Sequence, residues 1–95
     1  MKLYRLRVPP DLVAFLRHLH PGIRTRLRHA LEVIEEDPFL GKPLRDPLDG
    51  LFSYRVSDYR IVYEIKRQQI LIEVIDISER KIVYQRVAEI LKRSH

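Results

Sequence analysis

The spacing of apolar residues changes along the chain, and each change predicts a new element. From Lys2 to Val8 apolar and polar residues alternate, with Tyr4, Leu6 and Val8 on one side. Alternation of this kind marks a strand with one buried face. Pro9-Pro10 stops it, because proline cannot donate to a sheet ladder. Leu12, Phe15, Leu16 and Leu19 then recur at helical spacing as far as Pro21-Gly22. Ile23, Leu27, Ala30, Leu31 and Ile34 carry the same period on to Asp37-Pro38. A short connection through Pro21-Gly22 predicts an antiparallel helical hairpin. Residues 38–50 contain Pro38, Gly41, Pro43, Pro47 and Gly50, and predict a loop.

Beyond the loop the period becomes two. Phe52, Tyr54 and Val56 alternate with Ser53 and Arg55. After a tight turn at Ser57-Asp58, Tyr59, Ile61, Tyr63 and Ile65 alternate with Arg60, Val62 and Glu64. A second turn is expected near Arg67-Gln68-Gln69. Ile70 to Ile77 is almost continuously apolar, as in a central strand covered on both faces. Val83, Val87, Ile90 and Leu91 mark a short amphipathic C-terminal helix. The predicted order is β-α-α-β-β-β-α, an α+β fold of one domain over residues 1–95, with helices on one face of a largely antiparallel sheet.

The Ser57-Asp58 turn also predicts a register. With a two-residue loop, Val56 faces Tyr59, Arg55 faces Arg60, Tyr54 faces Ile61 and Phe52 faces Tyr63. The apolar residues then share one face and the two arginines share the other; a slip of one residue would mix them. Like charges directly opposite one another are destabilising, so Arg55 and Arg60 call for a counter-charge. Glu64 or Asp58 would be a structural answer, a bound phosphate a functional one. The next strand returns towards Arg60, and Arg80 follows its end. Three arginines therefore converge at one sheet edge, with Tyr84 four residues after Arg80 and able to close the pocket.

Composition points the same way. The chain of 95 residues carries 18 Lys+Arg against 13 Asp+Glu, a formal charge of +5, which favours a polyanionic partner such as nucleic acid. The absence of cysteine excludes disulfides, thiolate zinc sites and thiol catalysis. Ile70-Leu71-Ile72 is interrupted by Glu73, too short a run to span a membrane. The first residues lack the apolar core of a signal peptide, so a cytoplasmic protein without membrane contact is expected. His18, His20, His29 and His95 have no ligand spacing and read as surface residues. Glu35-Glu36-Asp37 reads as a solvated helix end. Neither a metal nor a cofactor is expected.

Three segments carry a resemblance: Gly41-Lys42-Pro43-Leu44-Arg45, the run from Leu51 to Ile65, and Ser78-Glu79-Arg80-Lys81-Ile82-Val83-Tyr84. Together they resemble the RelE branch of the RelE/ParE toxins of type II toxin–antitoxin systems. The resemblance implies a compact α+β ribonuclease that cleaves mRNA in the ribosomal A site and is neutralised by a cognate antitoxin. It implies catalytic roles for Arg55, Arg60, Arg80 and Tyr84, with Tyr84 acting as an acid–base group or a stacking surface. A further lysine of the RelE pattern has no match here; Ser57 falls closest. Lys42 and Arg45 are expected to supply charge from the loop, and Lys81 and Arg86, with Lys92 and Arg93, to extend the RNA-binding surface. The partners implied are the antitoxin, the ribosome and mRNA. The alternative is a ParE-like poison of DNA gyrase without nuclease activity.

Overall fold

A computed structural model describes residues 3–93. Lys2, counted in the first predicted strand, and His95, read as a surface residue, lie outside them. The elements are β1 (Arg5–Arg7), α1 (Pro10–Arg17), α2 (Pro21–Glu36), β2 (Lys42–Pro43), β3 (Leu51–Val56), β4 (Tyr59–Lys66), β5 (Leu71–Glu79) and α3 (Val83–Arg93). The sheet order is β1-β5-β4-β3-β2, with β1 parallel to β5 and every other pair antiparallel.

Both N-terminal helices open on proline at their first turn, where a missing N–H costs nothing. Pro21-Gly22 therefore begins α2 instead of linking the helices, and His20 caps it, its Nδ1 accepting from the Gly22 N–H at 3.1 Å. Asp37 ends α2 and its carboxylate accepts from the Phe39 N–H at 3.2 Å, starting a 3-10 turn over Pro38–Leu40. Leu12, Leu16, Leu27, Ala30, Leu31 and Ile34 from the helices meet Ile61, Tyr63, Ile72, Val74 and Ile77 from the sheet in the main core. Tyr4, Leu6, Val8, Phe52, Tyr54, Val56 and Tyr59 pack against it. Phe15, expected in the first helix's buried stripe, is 36% exposed.

The β3–β4 register is the predicted one at every pair, from Val56↔Tyr59 and Arg55↔Arg60 to Phe52↔Tyr63. Three features differ from the sequence reading. The loop contains β2, whose Lys42 and Pro43 pair with Ser53 and Phe52. The strands have apolar residues on both faces, and α3 covers the second: Leu51, Val62, Val83 and Val87 form a smaller core away from the hairpin, so the helices do not all share one face. Finally, β5 carries a bulge. Tyr63 pairs with Val74 and Val62 with Asp76, leaving Ile75 unpartnered on β4. An inserted residue exchanges the faces of everything after it, and this one turns Asp76 away from the main core.

Candidate active site

The site is built on the α3 side of the sheet, where β3 and β4 present their polar positions. Ser53 is its centre. It is only 2% exposed, and it lies between Lys42 on β2 and Val62 on β4. A buried hydroxyl needs hydrogen-bond partners, and here they come from two different elements. The half-buried Arg60 guanidinium donates from Nη1 to Ser53 Oγ at 3.0 Å. The Tyr84 hydroxyl, from the first turn of α3, lies 3.3 Å from the same oxygen, where either atom can donate. The Arg60 guanidinium carbon sits 5.9 Å from the centroid of the Tyr84 ring, within range of cation–π attraction.

Lys42 is brought in by β2. Directly opposite residues of an antiparallel pair share a face, so its pairing with Ser53 puts it on the side of Arg60 and Tyr84. Lys42 and Arg45 line one groove with Tyr84, Leu44 and Asp46. The loop is held from the main-core side by Tyr63, which is fully buried and donates to the Pro38 carbonyl at 2.6 Å. Burial, reinforced by the charge of Asp37 and opposed by a hydrogen bond with the Gly41 backbone, pushes the Tyr63 phenol up to about 12. A Cβ on Gly41 would overlap the Tyr63 hydroxyl and approach the Ser53 carbonyl oxygen to 3.2 Å. Glycine is thus required there by close approach. It lets the backbone lie flat enough for β2 to reach β3.

The register places Arg55, Arg60 and Ser78 in a row across β3, β4 and β5. Arg55 is exposed, its Nε donating to the Ser57 carbonyl at 3.4 Å. Among the described residues neither Glu64, Asp58 nor any other carboxylate forms an ion pair with Arg55 or Arg60. Ser57, the position nearest the unmatched lysine, sits exposed in the turn at φ 55. Arg80 follows β5 directly, and its N–H donates to the Asp58 carbonyl at 2.8 Å, tying it to the same turn. Arg80 lines a second depression, with Lys81, Asp58, Tyr59 and Ile23. The Tyr84 groove and the Arg80 depression share no lining residue, so the structure does not bring Arg80 into one pocket with Tyr84.

Arg86 has another partner. Its Nε and Nη2 meet Asp76 Oδ2 and Oδ1 at 2.9 and 3.3 Å, and Ser78 Oγ donates to the same carboxylate. Asp76 is completely buried while Arg86 is about half exposed. The hydrogen-bonded carboxylate raises the Arg86 pKa further above its usual range. This ion pair joins β5 to α3 and so steadies the helix that carries Tyr84. Among the described residues no group of three or more His, Asp and Glu is arranged to hold a metal ion, and no helix is long and apolar enough to cross a membrane.

The sequence profile described as the ParE toxin of type II toxin–antitoxin system, parDE, matches residues 10–84. Toxin RelE of Mycobacterium tuberculosis is 48% identical over 46 residues, which are 48% of this chain and 47% of that protein. That match spans about half the length of the relative. The RelBE2 toxin–antitoxin complex of M. tuberculosis is similar in structure, with a TM-score of 0.71 and 28% identity over 81% of this chain and 98% of that one. A mutant E. coli toxin RelE in the free state gives a TM-score of 0.74 over 98% of both chains, at 20% identity, a likeness of fold.

Proposed function

The chain belongs to the ParE toxin family of type II toxin–antitoxin systems, and from that premise we propose that it is a ribosome-dependent mRNA endonuclease that works without a metal ion. The observation that carries this reading is the Arg55–Arg60 pair. Two guanidinium groups oppose each other across a hairpin, and among the described residues no carboxylate forms an ion pair with either. Such a pair is a poor structural device and a good receptor for a phosphate, which arginine contacts through paired N–H donors.

The reaction that these groups favour is attack of an RNA 2′-hydroxyl on the adjacent phosphorus. The 2′-oxygen–phosphorus bond forms and the bond to the 5′-oxygen breaks. A proton leaves the 2′-oxygen and another reaches the departing 5′-oxygen, giving a cyclic phosphate and a free 5′-hydroxyl. Arg60, with Arg55 opposite it on the hairpin and Arg80 contributing charge from its separate depression, stabilises charge on the pentacoordinate phosphorus. Arginine holds its protons too tightly to act as a general base, so Tyr84 is the acid–base candidate, and its half-exposed ring also suits stacking on a base. Lys42 and Arg45 guide the backbone along the groove, and Lys81 adds positive charge beside Arg80. The ribosome supplies the alignment of the 2′-oxygen with the scissile bond, an effect that is large in its own right.

M. tuberculosis RelE2 was solved within a toxin–antitoxin complex. A protein antitoxin is the corresponding partner proposed for this chain, an acidic or amphipathic segment that covers the arginines and lowers the free energy of the folded toxin.

The ParE name of the matching family favours a second reading, in which the same basic face binds DNA gyrase and cuts nothing. Purified protein added to a reconstituted translation reaction separates the two. Primer extension is expected to map cuts at A-site codons on translating ribosomes, with free RNA cut slowly or not at all. The cuts should persist when zinc and manganese are chelated with magnesium held constant. Intact message together with inhibited supercoiling in a parallel gyrase assay would move the assignment to the second reading.

A further inference from the structure

We infer that Ser53 is a positioning residue that holds Arg60 and Tyr84 in one fixed relation through a single hydroxyl group. The inference deepens the nuclease reading and rests on it for its effect on cleavage, but not for its geometry.

Packing alone does not call for a serine here. Leu51, two residues earlier on the same face, and Val62, the cross-strand partner, are both core residues under α3. A β-branched apolar residue would suit the place better than a hydroxyl, which must be matched once buried. Nor do Arg60 and Tyr84 need Ser53 for their own satisfaction. Arg60 is half-buried and Tyr84 is 36% exposed, so water can reach both. What Ser53 adds is a common anchor for β4 and α3, in two side-chain hydrogen bonds at 3.0 and 3.3 Å.

The hydroxyl's valence makes this anchor unusually permissive. A serine oxygen has one hydrogen and two lone pairs, and arginine is always the donor. Arg60 occupies one lone pair, leaving Ser53 a lone pair and a hydrogen for Tyr84. Tyr84 can therefore donate to Ser53, or accept from it and aim its own proton out of the pocket towards bound RNA. Rotation of the two hydroxyl hydrogens about their C–O bonds interchanges the two arrangements without moving either ring or guanidinium. A residue with only an acceptor, or only a donor, would lock Tyr84 into one of them. Ser53 thus fixes where the Tyr84 oxygen is while leaving open where its proton points.

The test is the pair Ser53→Ala and Ser53→Thr in the full chain, read by single-turnover cleavage on programmed ribosomes and by side-chain NMR. Ser53→Ala should lower the cleavage rate roughly tenfold to a hundredfold through lost alignment, while the half-saturating concentration changes by less than about twofold. Ser53→Thr, which keeps the hydroxyl on a strand-favouring residue, should restore most of the rate. In the wild-type spectrum the Arg60 Nη protons should be resolved and slowed in exchange, and in Ser53→Ala they should average. A Ser53→Ala protein with wild-type rate, or with Arg60 signals unchanged, would overturn the inference. If the wild-type protein cuts no RNA, the nuclease reading fails on its own, and the Arg60 signals still decide whether Ser53 holds the pair. Should Ser53→Thr lose order through overcrowding, the loss of Arg60 order in Ser53→Ala, at an unchanged melting temperature, decides alone.

Discussion

The two faces of the sheet are built on different terms. The hairpin face is broad and apolar, and its aromatic residues run in sequence: Tyr4 meets Phe39 edge to face, Phe39 meets Phe52 the same way, and Phe52 stacks on Tyr63 at 5.7 Å. Among the described residues the core under α3 is a cluster of four buried apolar residues, and beside it lie three buried polar ones, Ser53, Asp76 and Ser78. The difference teaches that stability and chemistry have been separated through the thickness of one sheet. Burial on the hairpin side, at roughly 1.5–3 kcal/mol for each large side chain, carries the cost of holding charged and polar groups on the other.

The sharpest test uses two adjacent residues that point to opposite faces. Arg60→Ala should remove about 2.7–4 kcal/mol of transition-state stabilisation and leave the urea midpoint nearly unchanged. Ile61→Ala, at a fully buried position, should cost about 2–5 kcal/mol of stability yet retain its activity per folded molecule. Equal losses of stability in both would end the separation of the faces.

Alkaline titration probes the link between them. A phenol raised from 10.0 to about 12 by folding holds its proton more tightly in the native state. Its contribution is complete below pH 10 and is lost as pH rises towards 12. The difference in unfolding free energy between wild type and Tyr63→Phe should therefore fall by about 2–3 kcal/mol across that window. A difference that stays flat would mean that Tyr63 is not the group responsible.

On the α3 face the two ends of the ion pair should behave unequally. Arg86→Ala leaves Asp76 buried with Ser78 as its remaining side-chain donor, whereas Asp76→Ala leaves an arginine that water already reaches. The first should be the more damaging, by about 1–3 kcal/mol, below the figure for fully buried pairs because Arg86 is half solvated. Chemical denaturation of both variants measures it, and equal losses would count against the asymmetry. The smallest effect is expected at Arg55. Replacing it by Gln removes a like-charge contact and should stabilise the protein by roughly 0.2–1 kcal/mol in dilute buffer, a gain that added salt erases.

Much of this comparison is legible in the sequence, and the reasons are physical. Ser57-Asp58 and the alternation on either side of it leave one register that keeps Phe52, Tyr54, Ile61 and Tyr63 together, so the Arg55–Arg60 pair follows from the turn length. The covering of the second face by α3 was legible in principle. Ile70 to Ile77 is apolar on both sides, and Val83, Val87 and Leu91 supply a stripe to meet it. Lys42–Pro43 gives no pattern because two residues make no period, and its pairing depends on the contact between Gly41 and Tyr63. Ser53 was hidden for a different reason. An alternating polar position reads as solvent-facing, and only the arrival of α3 makes it interior. Arg86 looked like surface charge because its partner, Asp76, sits in a run whose phase changes at the bulge.

That change of phase behaves like a frameshift within a single strand. Upstream of Ile75, the even-numbered Ile72 and Val74 belong to the main core; downstream, the odd-numbered Ile77 does, and Asp76 and Ser78 belong to the α3 side. Straightening the bulge with every residue kept would turn the rest of β5 inside out, driving Asp76 and Ser78 among the leucines of the hairpin and Ile77 towards α3, whereas deleting Ile75 would leave all the others on their present faces. The meaning of each residue in this strand is thus set less by its own chemistry than by a count, and one supernumerary isoleucine keeps that count.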